Sequence, residues 1–329
     1  MTFYTFTVII SNVGTFKGHP LRVEYPKKTV KNKYAKAKFK EKDKMKRILA
    51  LILVAIMCLS MFVMPSCGEI DPAEDWENIE SNGKFVVGMT LFDPMNYKDE
   101  NDKLIGFDTE YAQAVAKYLG VEVEFQTITW SKKYLELNSG TIDCIWNGFT
   151  SNSSDDGVAR GDKVDFPTGY AYNYQCIVVN TDTIDPASIT SLADLAGKTC
   201  AVEGGSAGAD LAKTITDESK IVPKDAQIDA FTELKSGMVD FIVVDVLLAN
   251  RKCGTGDFTT CAKAFENTSD VELYGIGCRK GSSFTKKIEE ANKHLMNDGV
   301  DGGKSTLELL SEKYGVPLSA EILALKGSN

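Results

Sequence analysis

The spacing of hydrophobic and polar positions changes repeatedly along this chain, and each change predicts an element. Lys84–Met89 reads as a strand, followed by a loop over 91–103. From Phe107 to Leu119 the apolar residues recur at helical spacing, and Gly120 stops the pattern. Val121–Ile128 reads as a strand, Ser131–Asn138 as a helix and Thr141–Trp146 as a strand. Further on, Tyr174–Val179, Thr199–Val202, Phe241–Val244 and Val271–Gly277 read as strands. Leu192–Leu195, Ala207–Thr216, Phe231–Ser236, Leu247–Arg251, Phe284–Leu295 and Leu307–Tyr314 read as helices. Strands alternating with helices predict an α/β protein with mostly parallel sheets. One strand-helix unit recurs. Leu135-Glu136-Leu137-Asn138-Ser139-Gly140-Thr141-Ile142-Asp143 is echoed by Leu234-Lys235-Ser236-Gly237-Met238-Val239-Asp240, each a helix end, a Ser-Gly cap and an Asp opening a strand. The repetition points to two lobes of like design.

One run breaks the alternation. Ile48–Met64 is apolar and uncharged, follows Met45-Lys46-Arg47, and closes on Pro65-Ser66-Cys67 ahead of a polar, acidic chain. A charged start, a short apolar stretch and a small residue before the break describe a secretory signal peptide over 45–66. At 17 residues the run is short for a span, which needs about 20. It also lacks the amphipathic pattern of a core helix. The Cys after the break resembles the lipobox of bacterial lipoproteins. Met64 and Ser66 fit that pattern and Pro65 departs from it. The resemblance implies a lipid on Cys67, a linker over 67–83, and an exported chain anchored to the outer face of a bacterial cell membrane. Residues 1–44, with eleven Lys/Arg against three Asp/Glu, then read as a mis-called extension, with Met45 as the start.

Composition narrows the function. Beyond residue 66 the chain has 263 residues with 24 basic and 43 acidic side chains, a net charge of −19. That length suits two medium domains, and such acidity argues against nucleic acid as a partner. His19 and His294 are the only histidines, which disfavours a Ser-His-Asp triad and a His-rich metal site. No Cys-x-x-Cys spacing occurs; no metal or other cofactor is expected. Cys144, Cys176, Cys200 and Cys278 sit in apolar, strand-like runs. Cys253 and Cys261 bracket a polar loop and read equally well as a disulfide or as two thiols.

Several short motifs then fall in a recognisable order: Gly106-Phe107-Asp108, Trp130, Ser139-Gly140-Thr141-Ile142-Asp143, Arg160 before Val164-Asp165-Phe166 and Tyr170, Gly205-Ser206, and Ser236-Gly237-Met238-Val239-Asp240 leading to Asp245. Over Gly83 to about Val316 the chain resembles the amino-acid-type solute-binding proteins of ABC importers, family 3 of the bacterial extracellular solute-binding proteins. The resemblance implies a two-lobed periplasmic-binding-protein-like fold of type II that closes on its ligand like a hinge. Lobe one is expected over 84–175 plus 275–329 and lobe two over 176–274, with hinge strands near Cys176–Val179 and Gly275–Arg279. The implied partners are an amino acid and an ABC permease, and the chain is expected to be a monomer and not an enzyme. A cyclohexadienyl-dehydratase-like enzyme on the same fold is the alternative; no sequence feature singles out its proton-transfer group.

The residues support the implied site. A ligand carboxylate suits the planar fork of an arginine, and Arg160 stands at the family's clamp. The family usually places that arginine nearer to the position of Thr150; here Ser151–Ala159 intervene. Asp245 ends a buried strand at the sheet's carboxyl edge, where the family holds the ligand's ammonium. Gly205 and Ser206 open a helix whose N–H groups suit an anion. Phe92 and Trp130 match the rings that sandwich the ligand side chain. Asn147, Gly148 and Thr150 match the loop that holds its amine and carboxylate. The absence of an acidic cluster near Trp130 disfavours lysine or arginine as ligand, although Asp93 is available to a cation.

Overall fold

Apolar strands that bury both faces need helices on either side, and two such layered sheets organise this chain. The structure is a computed structural model that describes residues 70–299 and 303–328. The signal peptide, the Cys67 anchor and the 1–44 extension lie outside those residues. In chain order the main strands are β1 (Lys84–Met89), β2 (Glu122–Thr127), β3 (Cys144–Thr150), β4 (Val164–Asp165), β5 (Ala171–Asn173) and β6 (Gln175–Asn180). They continue with β7 (Cys200–Glu203), β8 (Ile221–Lys224), β9 (Phe241–Asp245), β10 (Cys261–Glu266) and β11 (Glu272–Arg279). The first sheet runs β2-β1-β3-β11-β4, with β5 also paired to β11; the second runs β8-β7-β9-β6-β10.

The expectation of mostly parallel sheets is corrected: both are mixed. β1 is parallel to β2 and β3, and β7 to β8 and β9. By contrast, β11 is antiparallel to β3, β4 and β5, and β6 is antiparallel to β9 and β10. The reason lies in the connections. β6 and β11 follow the passages between sheets, at Tyr174 and across 267–271, and no crossover helix brings them round to the parallel direction.

Local chemistry explains the recurring unit. Gly140 and Gly237 both take left-handed backbone, at φ 75° and 72°. Each turn then presents an aspartate to the neighbouring parallel strand. Asp143 Oδ2 accepts from the Val86 N–H at 2.8 Å, and Asp240 Oδ2 accepts from the Thr199 N–H at 2.7 Å. The first helix of the motif series, Phe107–Leu119, starts at Gly106 with φ 132°, where a Cβ would lie 2.2 Å from the Met95 carbonyl oxygen. Only glycine fits there.

The linker expected over 67–83 is corrected in its second half. Asp75–Asn82 is a helix capped by Gly83. Its Ile79 is buried in the core, and its buried Asp75 meets the Arg279 guanidinium at 2.8 Å. All six described cysteines are thiols, Cys253 and Cys261 included.

Candidate functional site

A small polar cavity of about 10 Å³ lies between the two sheets. The first sheet and its loops contribute Trp130, Asn147, Gly148, Thr150 and Arg160. The second contributes Gln175, Glu203, Ser206, Ala207, Gln227 and Asp245. Past Thr150, Gln175 and Ala207 it borders a larger cavity of about 460 Å³, walled by 152–154 and by the helix Ala207–Ile215. A third cavity, of about 710 Å³, lies against Tyr172, Val246 and Pro317, and no charged side chain lines it. The chemistry converges in the small one.

Seven of the nine expected binding residues line that cavity. Phe92 and Gly205 do not. Phe92 is buried in the core, edge-on to Tyr274 with ring centres 6.5 Å apart. Gly205 sits one turn out and its carbonyl accepts from Lys133 Nζ at 2.8 Å. Asn147 lines the cavity with its amide already committed. Its Oδ1 accepts from the Thr90 N–H at 3.0 Å, and its Nδ2 donates to Thr90 O at 2.9 Å and Asn96 Oδ1 at 2.7 Å. Gly148 donates its N–H to Asp108 Oδ2 at 2.8 Å, and Tyr170 donates to the same oxygen at 3.0 Å. The Gly-Phe-Asp motif thus sets the shape of the binding loop from behind. Ser206 caps its helix, accepting from the Ala209 N–H at 3.1 Å.

Arg160 lines the cavity in spite of the residues inserted before it. Ser154–Asp155 and Val158–Ala159 pair as a small hairpin. Asp156 and Gly157 turn it, both at positive φ, 52° and 78°. The detour returns the chain so that Arg160 Nη1 donates to Thr150 O at 3.0 Å. The side chain is 1% exposed and its guanidinium stacks 4.9 Å from the centre of Phe149. The hairpin also brings Asp155, which accepts from Arg160 Nε at 3.1 Å and lies 3.9 Å from the buried Lys133 ammonium. Tyr134 donates its hydroxyl to Asp155 as well. Despite the cost of its own burial, these cations hold the Asp155 carboxyl below its ordinary value.

Asp245, at the end of β9, accepts from the amides of Asn173, Gln175 and Gln227. Glu272, at the start of β11, takes the same Asn173 and Gln175 amides. Burial raises both carboxyls; the charge of Asp245 raises Glu272 further, to about 8, whereas the Gln227, Gln175 and Glu272 hydrogen bonds pull Asp245 back down. Asp93 is not available to a ligand cation: Lys252 and Arg251 take it at 2.9 and 3.3 Å. Sequence reasoning missed Glu203, Gln175, Gln227 and Asp155. Two signals were present. Glu203 ends a parallel strand before a glycine turn, as Asp245 ends its neighbour, and Asp156-Gly157 is a hairpin-turn pair.

Residues 85–315 match the model of the bacterial extracellular solute-binding proteins, family 3. The chain belongs to this family. Among its relatives, an L-cystine-binding protein of Bacillus subtilis is 30% identical over 275 residues, covering 80% of this chain and 96% of that protein. An ancestral arginine-binding protein bound to arginine is 36% identical, with a TM-score of 0.62 over 70% of this chain and 98% of that one. A substrate-binding protein of an ABC uptake transporter from Streptococcus pneumoniae, solved with histidine, is 29% identical, with a TM-score of 0.65 over 76% and 100%. The family's two-lobed type II fold is therefore the fold here. These relatives are binding proteins, and the chain is a binding protein rather than an enzyme.

The buried acids make stability depend on pH in an unusual direction. Burial pushes Asp108 up to about 7, and burial with the charge of Asp245 pushes Glu203 up to about 8. Unfolded, both release their protons near pH 4. Between those values the folded chain binds more protons than the unfolded one, so these groups cost stability as pH rises from about 4 to about 8. The ligand-free melting temperature of Glu203→Gln is expected to fall less over that range than that of the parent chain. Parallel melting curves at pH 5 and pH 8 check this, and an equal fall in both proteins contradicts it.

Proposed function

We propose that this chain captures an α-amino acid between its lobes, closes on it by hinge motion and delivers it to an ABC importer permease, held at the outer face of the membrane by a lipid on Cys67. One observation carries the reading. A buried guanidinium from one lobe, Arg160, and a buried carboxylate from the other, Asp245, line one cavity. A zwitterion matches that pair: its carboxylate suits the planar fork and its ammonium suits the acid. The lobes, taken as 84–175 plus 275–329 and 176–274, would each supply half of the grip. The cavity as it stands has room for about one water, so both entry and seating of an amino acid require the lobes to open. Names of relatives add cystine, arginine and histidine as chemistries held on related frames.

The test is a thermal-shift screen of the full-length chain in mild detergent against the twenty amino acids, cystine and ornithine. A ligand at a hundred times its Kd stabilises the folded state by about 2.7 kcal/mol, a rise of several degrees. Stabilisation by one or a few amino acids supports the reading, and none by any of them ends it. For the anchor, Cys67→Ser is expected to move the protein from the membrane fraction to the medium; unchanged membrane retention contradicts the lipid.

A further inference from the structure

The cleft holds one acid more than a neutral amino acid answers. Glu203 is 3% exposed and lines the same cavity as Trp130, Arg160 and Asp245. Its Oε1 accepts from the Thr90 hydroxyl at 3.1 Å, and that hydroxyl is shared with Asn147 Oδ1 at 2.8 Å. Its Oε2 accepts no hydrogen bond, and Glu203 has no ion pair among the described residues.

The cations nearby make their close contacts elsewhere, and Lys133 acts on Glu203 only from beyond ion-pair distance. Lys133 turns to Gly205 O and Asp155, and Arg160 to Asp155 and Thr150 O. Ionising a buried acid with so few partners is costly, so it holds its proton near neutral pH unless a cation is brought to it. One α-ammonium neutralises Asp245 or Glu203, not both. The wall beside Glu203 tolerates a cation: the Lys133 ammonium already lies 5.3 Å from the centre of the Trp130 ring.

Resting on the reading that the cleft takes an α-amino acid, we propose that Glu203 determines its specificity and that the ligand carries a second positive charge on its side chain, as a dibasic amino acid does. The ligand's own carboxylate goes to Arg160 and its ammonium to Asp245. Its distal cation goes to the free oxygen of Glu203. The competing possibility is a protonated Glu203 that donates to a neutral, amide-bearing side chain. The two are separable because a cation gains from the charge and an amide does not.

Calorimetric titration of the full-length chain with arginine, lysine and ornithine, against citrulline, glutamine and norleucine, decides between them. At least one dibasic amino acid is expected to bind tenfold or more tighter than its neutral counterpart, a preference of about 1.4 kcal/mol or more. Glu203→Gln keeps the shape and the Thr90 contact. In that variant the preference is expected to fall at least tenfold. Neutral amino acids binding as tightly as dibasic ones to the parent chain, or a preference unchanged in Glu203→Gln, overturns the role of Glu203 and leaves amino-acid capture standing. Absence of binding by every α-amino acid of either class overturns both.

Discussion

Asp245→Ala is expected to weaken amino-acid binding by about 2–5 kcal/mol, roughly thirtyfold to several thousandfold in Kd. The physical basis is the removal of an acid that nothing else replaces. Three amides, from Asn173, Gln175 and Gln227, donate to this one carboxylate. Alanine strands the Gln227 amide, leaves those of Asn173 and Gln175 to Glu272 alone, and leaves the ligand ammonium without its direct counter-charge. Asp245→Asn separates the two losses, because it keeps the shape while removing the charge. Calorimetry on both variants, with melting curves to confirm folding, makes the measurement. An affinity unchanged in either variant removes Asp245 from the ligand contacts.

The second large effect concerns the frame. Arg279→Ala is expected to cost about 3–5 kcal/mol of folding stability, the usual consequence of stranding a buried charge. Arg279 is 5% exposed. Its Nε donates to both oxygens of Asp75, at 2.9 and 3.0 Å, and its Nη1 donates to the carbonyls of Leu137 and Ile142, each at 2.9 Å. Its Nη2 lies 3.2 Å from Asp143 Oδ1. One side chain therefore joins the helix Asp75–Asn82, the end of the helix Lys133–Asn138 and the approach to β3. Truncation leaves Asp75 charged and buried. Denaturant midpoints check the prediction, and the double variant Asp75→Asn, Arg279→Met is expected to recover part of the loss. A loss below about 1 kcal/mol in Arg279→Ala would show that water reaches and repays the buried acid.

Where the sequence carried its own punctuation, it predicted the fold closely. Phe107–Leu119 is found with those bounds because Gly106 and Gly120 mark both ends. Four of the main strands escaped notice: the short Val164–Asp165 and Ala171–Asn173 beside β11, and Ile221–Lys224 and Cys261–Glu266, which are the two edges of the second sheet. Edge strands face water on one side and carry charges, and Ile221–Lys224 contains Pro223; their hydrophobic pattern is diluted for the same reason that their edges are safe. The helix Asp75–Asn82 was hidden because its burial rests on Ile79 and on an aspartate whose partner lies 204 residues away. Of the two acids that close strands at the cavity, Asp245 was picked out by position and Glu203 was not; Arg160, picked out by its order among motifs, lines the cavity too. Asp155 was not picked out, since its role depends on a hairpin that folds back on the guanidinium. Phe92 is buried beside Tyr274 and not in the cavity lining, a distinction the sequence does not carry because an aromatic residue in a loop reads alike whether it faces a ligand or the core.

The thiols described above have a consequence for life outside the cell. Burial pushes Cys200, Cys253 and Cys278 up to about 12. At neutral pH only about one such thiol in a hundred thousand is a thiolate, and the thiolate is the form that oxidants and disulfides attack. These three thiols are thus chemically quiet toward redox partners, and among the described residues the fold is held together without a covalent cross-link.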